Sequence, residues 1–302
     1  MKMANQYDEI GLAYESIKRF PAAVLERRTF QSVITPLLSS RKDVKILDLA
    51  CGTGYYTRLL AEWGGNSISD ILGIDLSPVM VEAARAASSP ATSASQYPDA
   101  EGKAPNDDKI TFQVGDCTQP LNLSSGPFTI ATGAWLLNYA SSAAAMTGMF
   151  RNIAQNLCDD GVFIGITPYP APDLDAFAES FSPSNTNTTA TSTSTSINDD
   201  QAKYGVTVQY TRRLASGEGY ATKITAHTTP VEIAFENFHL SREVYELCAR
   251  DGGLRGDMRW VDPVLPATDE ESLSVYGHGI DLAWWDSYRA RMHCAVLVVR
   301  KS

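Results

Sequence analysis

Residues 44–60 read Val44-Lys45-Ile46-Leu47-Asp48-Leu49-Ala50-Cys51-Gly52-Thr53-Gly54-Tyr55-Tyr56-Thr57-Arg58-Leu59-Leu60. An aliphatic run ends in a glycine-bearing turn, after which Tyr56, Leu59, Leu60 and Trp63 recur at helical spacing. That is a strand, a tight loop and a helix. The pattern repeats at once: Asp70-Ile71-Leu72-Gly73-Ile74-Asp75 reads as a strand, and Ser77-Pro78 as an N-cap with proline at the first helical position of a helix over 79–87. Strand, helix, strand, helix in sequence predicts an α/β protein with a parallel sheet and right-handed crossovers.

Upstream, residues 5–40 carry apolar positions at helical spacing, with Pro21 and Pro36 placing breaks, so two or three helices are expected. Downstream, strands are expected at 109–114, 128–132 and 162–167, with a helix over 142–157 between the last two. The segment 88–108 is small, polar and proline-bearing and reads as a surface excursion; 182–197 is Ser/Thr/Asn low complexity. Beyond it, 206–210, 221–226 and 231–235 alternate like antiparallel strands, with a Gly-rich turn at 216–219. A helix over 241–250 and strands at 258–261 and 293–300 complete the chain. The expected organisation is one domain over 1–302: a helical cap (1–42), a core (43–167), an inserted lid (168–240) and the rest of the core (241–302).

The chain has 302 residues, 44% hydrophobic and 20% charged, enough to bury a core and too apolar for global disorder. Its net charge of −10 argues against binding a phosphate backbone, which requires clustered Lys and Arg. No apolar run approaches the ~18 residues of a membrane span. The first residues lack the basic start and apolar stretch of a signal peptide, so a soluble cytoplasmic protein is expected. Its five cysteines and four histidines are scattered without ligand spacing, so neither a disulfide framework nor a metal site is expected.

Asp48, Asp75 and Asp116 stand at the carboxyl ends of the first three strands, the edge where open parallel sheets bind ligands. A dinucleotide turn would need a third small residue, and here Gly52 and Gly54 are followed by Thr57. Asp48 would also repel a pyrophosphate. Asp75 lies 21 residues past Gly54, which suits a carboxylate accepting from ribose hydroxyls. A ligand with a ribose, a cationic amino-acid part and no phosphates fits better than NAD.

On these residues the sequence resembles the class I S-adenosylmethionine (SAM)-dependent methyltransferases. The matching motifs are Ile46 to Gly54, Gly73 to Met80, Gly115-Asp116-Cys117, and Ala134-Trp135-Leu136-Leu137-Asn138-Tyr139. The run Cys51 to Leu60, the opening Tyr7-Asp8-Glu9-Ile10-Gly11-x-x-Tyr14, and Tyr276-Gly277…Trp284…Tyr288 look more narrowly like the toxoflavin-type small-molecule methyltransferases of secondary metabolism. Two positions depart from the pattern: Thr129 where many relatives carry Asp, and Asp159-Asp160-Gly161 where they often carry Pro-Gly-Gly. The resemblance implies a doubly wound, Rossmann-like fold, with a mostly parallel seven-stranded sheet, an antiparallel last strand, N-terminal helices and an inserted antiparallel lid. It implies that Asp48 and the backbone at Ala50, Cys51, Gly52 and Gly54 hold the methionine part of SAM, with Tyr14 at its carboxylate. Asp75 would hold the ribose, Leu76 and Met80 would flank the adenine, and Asp116 with the Cys117 amide would read its edge. Ala134 and Trp135 would line the passage to the substrate.

For the substrate, Trp135, Tyr139, Tyr276 and Trp284 are candidates, although aromatic clusters are usually core. His239 and His278 are the candidate bases because imidazole titrates near neutrality. The expected activity is methyl transfer to a small-molecule N, O or C nucleophile, with S-adenosylhomocysteine as product. The alternative is a SAM-binding protein of the same fold, serving regulation or cofactor-assisted rearrangement. The acid balance and the missing Asn/Asp-Pro-Pro-Tyr/Phe motif disfavour nucleic-acid methylation.

Overall fold

The computed structural model describes residues 7–8, 10–89, 109–181 and 201–302. The 182–197 tract and nearly all of the 88–108 excursion lie outside the described residues. The central strand β1 (Val44–Leu49) is buried at five of its six positions, as expected of a strand covered on both faces. It pairs in parallel with β2 (Ile68–Asp75) on one side and β4 (Phe128–Ala134) on the other. Outside these lie β3 (Ile110–Val114) and β5 (Leu157–Pro168), both parallel to their neighbours.

Two strands from the chain end finish the sheet. β10 (Cys294–Arg300) runs antiparallel to β5, and β9 (Met258–Val261) pairs antiparallel with β10. The order is β3-β2-β1-β4-β5-β10-β9. Winding goes outward from β1 to β3 and then returns to β4, so the topological switch lies between β1 and β4. In such sheets the crevice at that switch, outside the carboxyl ends of the strands, is where ligands bind.

Alternation along β1 sends Leu47 and Leu49 to one face and Val44 and Ile46 to the other. The first face packs under α4 (Ala143–Asn156) and α6 (Arg242–Asp251), through Phe150, Ile153, Tyr245 and Cys248. The second packs under α1 (Pro21–Ser39) and α2 (Tyr55–Gly64), through Phe30, Ile34, Tyr56 and Leu60. Pro36 does not break α1 as expected: the helix runs through it to Ser39. Burial of Phe30, Val33, Ile34 and Leu38 outweighs the roughly 3 kcal/mol cost of an internal proline. Helix α3 (Pro78–Ala87) begins as the sequence indicates, with the Ser77 hydroxyl accepting from Met80 N.

A three-stranded antiparallel sheet, β6 (Val206–Arg213), β7 (Gly219–Ala226) and β8 (Ile233–Leu240), occupies part of the expected insertion. The helices α5 (Leu174–Glu179), α7 (Asp269–Tyr276) and α8 (Asp286–Ala290) are additions to the sequence reading. α7 had a legible start, since the Thr268 hydroxyl accepts from Glu271 N in a Thr-x-x-Glu capping arrangement. Among the described residues, no helix is long and apolar enough to cross a membrane.

Gly54 shows why the first turn needs its second glycine. Its φ is +76°, and a Cβ would stand 2.9 Å from Phe112 Cζ. Gly54→Ala is therefore expected to cost more than about 1 kcal/mol of stability. Urea unfolding checks this; an unchanged midpoint would contradict it.

Candidate functional site

The loop after β1 is anchored from below by Asp48, which is 1% exposed. Its Oδ1 accepts from the Thr132 hydroxyl at 2.7 Å and its Oδ2 from the Thr57 hydroxyl at 2.6 Å. Burial raises its pKa, and the two hydroxyls act in the opposite direction. Above it, Ala50 (φ 55°), Gly52 (φ 55°) and Gly54 adopt left-handed backbone. The Gly52 amide donates to Asp75 Oδ2 at 2.8 Å, and the Ser77 amide to Asp75 Oδ1 at 2.9 Å. Asp75 at the tip of β2 thus clasps the first turn. Burial raises its pKa, against the pull of the Ser77, Gly52 and Leu76 amides.

A cavity of about 220 Å³ opens over these residues. Ala50, Gly52, Asp75, Leu76 and Ser77 line it from the first two turns, and Asp116, Cys117 and Thr118 from the turn after β3. Ala134, Trp135 and Leu136 close it after β4, Met80 and Met149 come from the flanking helices, and Tyr7, Tyr14 and Tyr139 form an aromatic wall. The Tyr7 ring meets those of Tyr14 and Tyr139 edge-on at 5.8 and 5.9 Å, and Phe235 of the inserted sheet at 6.0 Å. The Asp8 carboxylate accepts from the Ser77 hydroxyl, which ties the N-terminal segment across the opening.

The turn bearing Asp116 is held by Asn152 of α4, 3% exposed. Asn152 Nδ2 donates to the carbonyls of Cys117 and Gln119, each at 3.0 Å, and its Oδ1 accepts from the Leu121 amide at 3.0 Å. Thr118 holds Asp116 Oδ1 through its amide and hydroxyl.

A second cavity, about 100 Å³, lies beside the first and shares Tyr14, Trp135 and Tyr139 with it. Trp135 sits at φ 65°, a costly backbone for a bulky residue. Its amide donates to Ile166 O at 2.9 Å and its indole Nε1 to Glu26 Oε2 at 2.8 Å. Glu26 also accepts from the Tyr56 hydroxyl and lies 3.7 Å from Lys18 Nζ. Burial works against the charge on Lys18, but Tyr14 and Glu26 beside it more than offset this and raise its pKa.

Of the residues the sequence singles out for a cofactor, Tyr14, Ala50, Gly52, Asp75, Leu76, Met80, Asp116, Cys117, Ala134 and Trp135 line the larger cavity. Asp48, Cys51 and Gly54 do not. Asp48 is sealed beneath the loop by its two threonines; Cys51 packs behind it against Val81, Ala84 and Phe112; and Gly54 faces Phe112. Among the substrate candidates, Trp135 and Tyr139 border both cavities. Tyr276 and Trp284 border neither, because they pack into a separate cluster around Trp285, Tyr204 and Tyr288. His278 is exposed on the turn after α7. His239 lines the smaller cavity, but both ring nitrogens are engaged: Nε2 donates to Tyr169 O at 2.9 Å, which leaves Nδ1 to accept from the Tyr210 hydroxyl at 2.7 Å. Burial lowers its pKa to about 4.

Residues 46–161 match a family model described as a methyltransferase domain. A search of curated proteins found no match. Among solved structures, the chain resembles a SAM-dependent methyltransferase from Clostridium acetobutylicum at 15% identity and a TM-score of 0.51, covering 90% of this chain and 91% of that one. It also resembles the CcbJ methyltransferase from Streptomyces caelestis (13% identity, TM-score 0.52, 90% and 88% covered). A SAM-dependent methyltransferase from Mesorhizobium loti is similar at 20% identity (TM-score 0.50, 88% and 96% covered). The fold is that of the SAM-dependent methyltransferases.

Asn152 is the cavity's support with no signature in sequence. Asn152→Leu would strand the Leu121 amide and two carbonyls, each orphan costing about 1–3 kcal/mol. Faster amide hydrogen exchange across residues 116–121 and a lower unfolding midpoint are expected; unaltered exchange there would refute this role.

Proposed function

We propose that the protein transfers a methyl group from SAM to a nitrogen, oxygen or carbon nucleophile of a small, secondary-metabolite-like molecule in the cytoplasm. The observation that carries this reading is the pair of adjoining cavities on one edge of the sheet, separated by the side chains they share: Tyr14, Trp135 and Tyr139. A binding-only protein of this fold has no need of the second cavity. Its volume of about 100 Å³ is of the order that accepts a single ring, since an apolar cavity of roughly 150 Å³ takes benzene.

The residues of the larger cavity fit SAM. Nothing stands within 4 Å of where a Gly52 Cβ would be, so a ligand can approach the backbone there. In the proposed pose Asp75 accepts from the ribose hydroxyls and Asp116 from the adenine amino group. Leu76, Met80 and Met149 give apolar contact to the ring, and Tyr14 reaches toward the amino-acid end. SAM supplies an electrophilic methyl group on a positively charged sulfur.

The protein's own contribution is then mainly positional. Trp135, locked by Ile166 O and Glu26, fixes the boundary across which the two reactants face each other. Such alignment is worth up to about 7 to 11 kcal/mol. The N-terminal segment, pinned at Ser77 and packed on Phe235, and the inserted sheet keep water from the reacting atoms.

Incubation with isotopically labelled SAM and a panel of small metabolites tests the reading. Label transfer to one compound is expected; tight SAM binding without transfer to any would favour the binding-only alternative. Asp75→Ala should weaken SAM at least about tenfold in a calorimetric titration. A cationic ligand prefers the ionised carboxylate, so affinity should be lost as pH falls through the raised pKa of Asp75. Asp75→Asn should flatten that dependence; equal pH profiles would exclude the assignment.

A further inference from the structure

The smaller cavity is built mainly from three sources, with Phe177 and Phe181 added from α5 and the residues just after it and Tyr288 from α8. Strict alternation turns Val206, Val208 and Tyr210 of β6, Thr222 and Ile224 of β7, and Phe235, Asn237 and His239 of β8 toward it. Across the sheet these side chains form rows. Val208, Ile224 and Phe235 make an apolar row, while Tyr210, Thr222 and Asn237 make a polar one. The N-terminal helices supply a second wall, and the carboxyl ends of β4 and β5 with the start of β10 supply the floor.

Among the described residues, no unbalanced charge faces this space. Lys18 and Glu26 line it and pair with each other, and Glu26 is further held by Tyr56 and Trp135. His239 and His293 are pushed by burial to pKa values of about 4, so both are neutral at pH 7. An ionised ligand group would lose its hydration here with no partner to replace it.

Most polar groups of the cavity already satisfy one another. Tyr210 donates to His239, and Thr222 donates to Asn237. Two fully buried atoms do not: Asn138 Oδ1 and His293 Nδ1 have no hydrogen-bond partner among the described residues. Asn138 is 1% exposed and lies three residues past Trp135, hence next to the boundary with the larger cavity. Its carbonyl oxygen can only accept. A buried acceptor left unpaired is costly, and a ligand that brings a donor removes the cost.

We infer that Asn138 selects the methyl acceptor, its Oδ1 accepting a hydrogen bond from a hydroxyl or N–H group of an uncharged, ring-sized molecule held in this cavity. The inference rests on the proposed function for its term "methyl acceptor"; the recognition chemistry stands on the cavity alone. A carbon acid or amine without such a donor would be a poorer guest. The apolar row beside the boundary covers the ring, and the polar row at the other end leaves room for a second polar substituent.

The test uses four one-ring probes on the full chain: phenol, toluene, benzoate and benzylammonium, with affinities read by ligand-observed NMR in the presence of SAM. Phenol is expected to bind at millimolar concentration and both ions more weakly. Phenol and toluene match in size, so Asn138→Leu should move their affinity ratio at least about tenfold toward toluene, the size of one lost hydrogen bond. SAM affinity, measured on the same samples, should be unchanged in the variant. An unchanged phenol-to-toluene ratio in Asn138→Leu overturns the inference. So does tighter binding of either ion than of phenol by the unmodified protein, or no phenol binding at all; these two need no variant to fold. The expected probe ranking without any SAM binding would instead overturn the methyltransferase reading and leave the recognition role of Asn138 in place.

Discussion

The Asp48 carboxylate, buried between two threonine hydroxyls, is the contact on which the site's geometry depends. Through Thr132 it ties β1 to β4 across the topological switch, and through Thr57 it pulls the first turn of α2 onto the end of β1. The loop between has no freedom left. Ala50 and Gly52 are forced into left-handed backbone, the Gly52 amide is turned toward Asp75, and the cavity floor is set. A buried carboxylate needs such donors, because without them the desolvation cost would go unmet. An acid at the end of β1 can therefore shape the site without lining the cavity.

A second constraint mirrors the first at β4. Ala50 and Trp135 both hold positive φ, at the ends of adjacent strands on either side of the switch. Strain of this kind persists only where the surroundings over-determine it, and Trp135 is fixed at its amide by Ile166 and at its indole by Glu26. Glu26 in turn collects Tyr56 and Lys18. The partition between the two cavities is thus anchored to α1, α2 and β5 together, and a shift in any of these would be felt at the boundary where the reactants are proposed to meet.

What the sequence made legible follows from range. The strands, the Ser77 cap and the glycine turn rest on residues within a few positions of one another, and they appear where the pattern puts them. The acids at the ends of β1, β2 and β3 could be named, but not the direction each faces: the partner that turns Asp48 inward, Thr57, was visible only as a failed dinucleotide signature. Asn152 lies 35 residues from the carbonyl it holds, and nothing in its neighbours marks it. Tyr276 and Trp284 lie apart from both cavities for a different reason. A run of aromatics has the same composition whether it lines a pocket or fills a core, and here Tyr204, which lies far back in the chain, completes a core around Trp285.

The net charge of −10 gains meaning from where charge is absent. The larger cavity gathers Asp75 and Asp116 where a cationic ligand would benefit, whereas the smaller one balances Lys18 against Glu26 and keeps its histidines neutral. Two adjoining cavities of different electrostatic character would divide the proposed reactants by chemistry before any shape is considered: a cation would be favoured on one side, and an uncharged molecule would lose least by entering the other. In the apolar surroundings of the second cavity a hydrogen bond counts for more than it would in water. With charge excluded as a means of recognition, unpaired polar atoms such as Asn138 Oδ1 are left to tell one uncharged molecule from another.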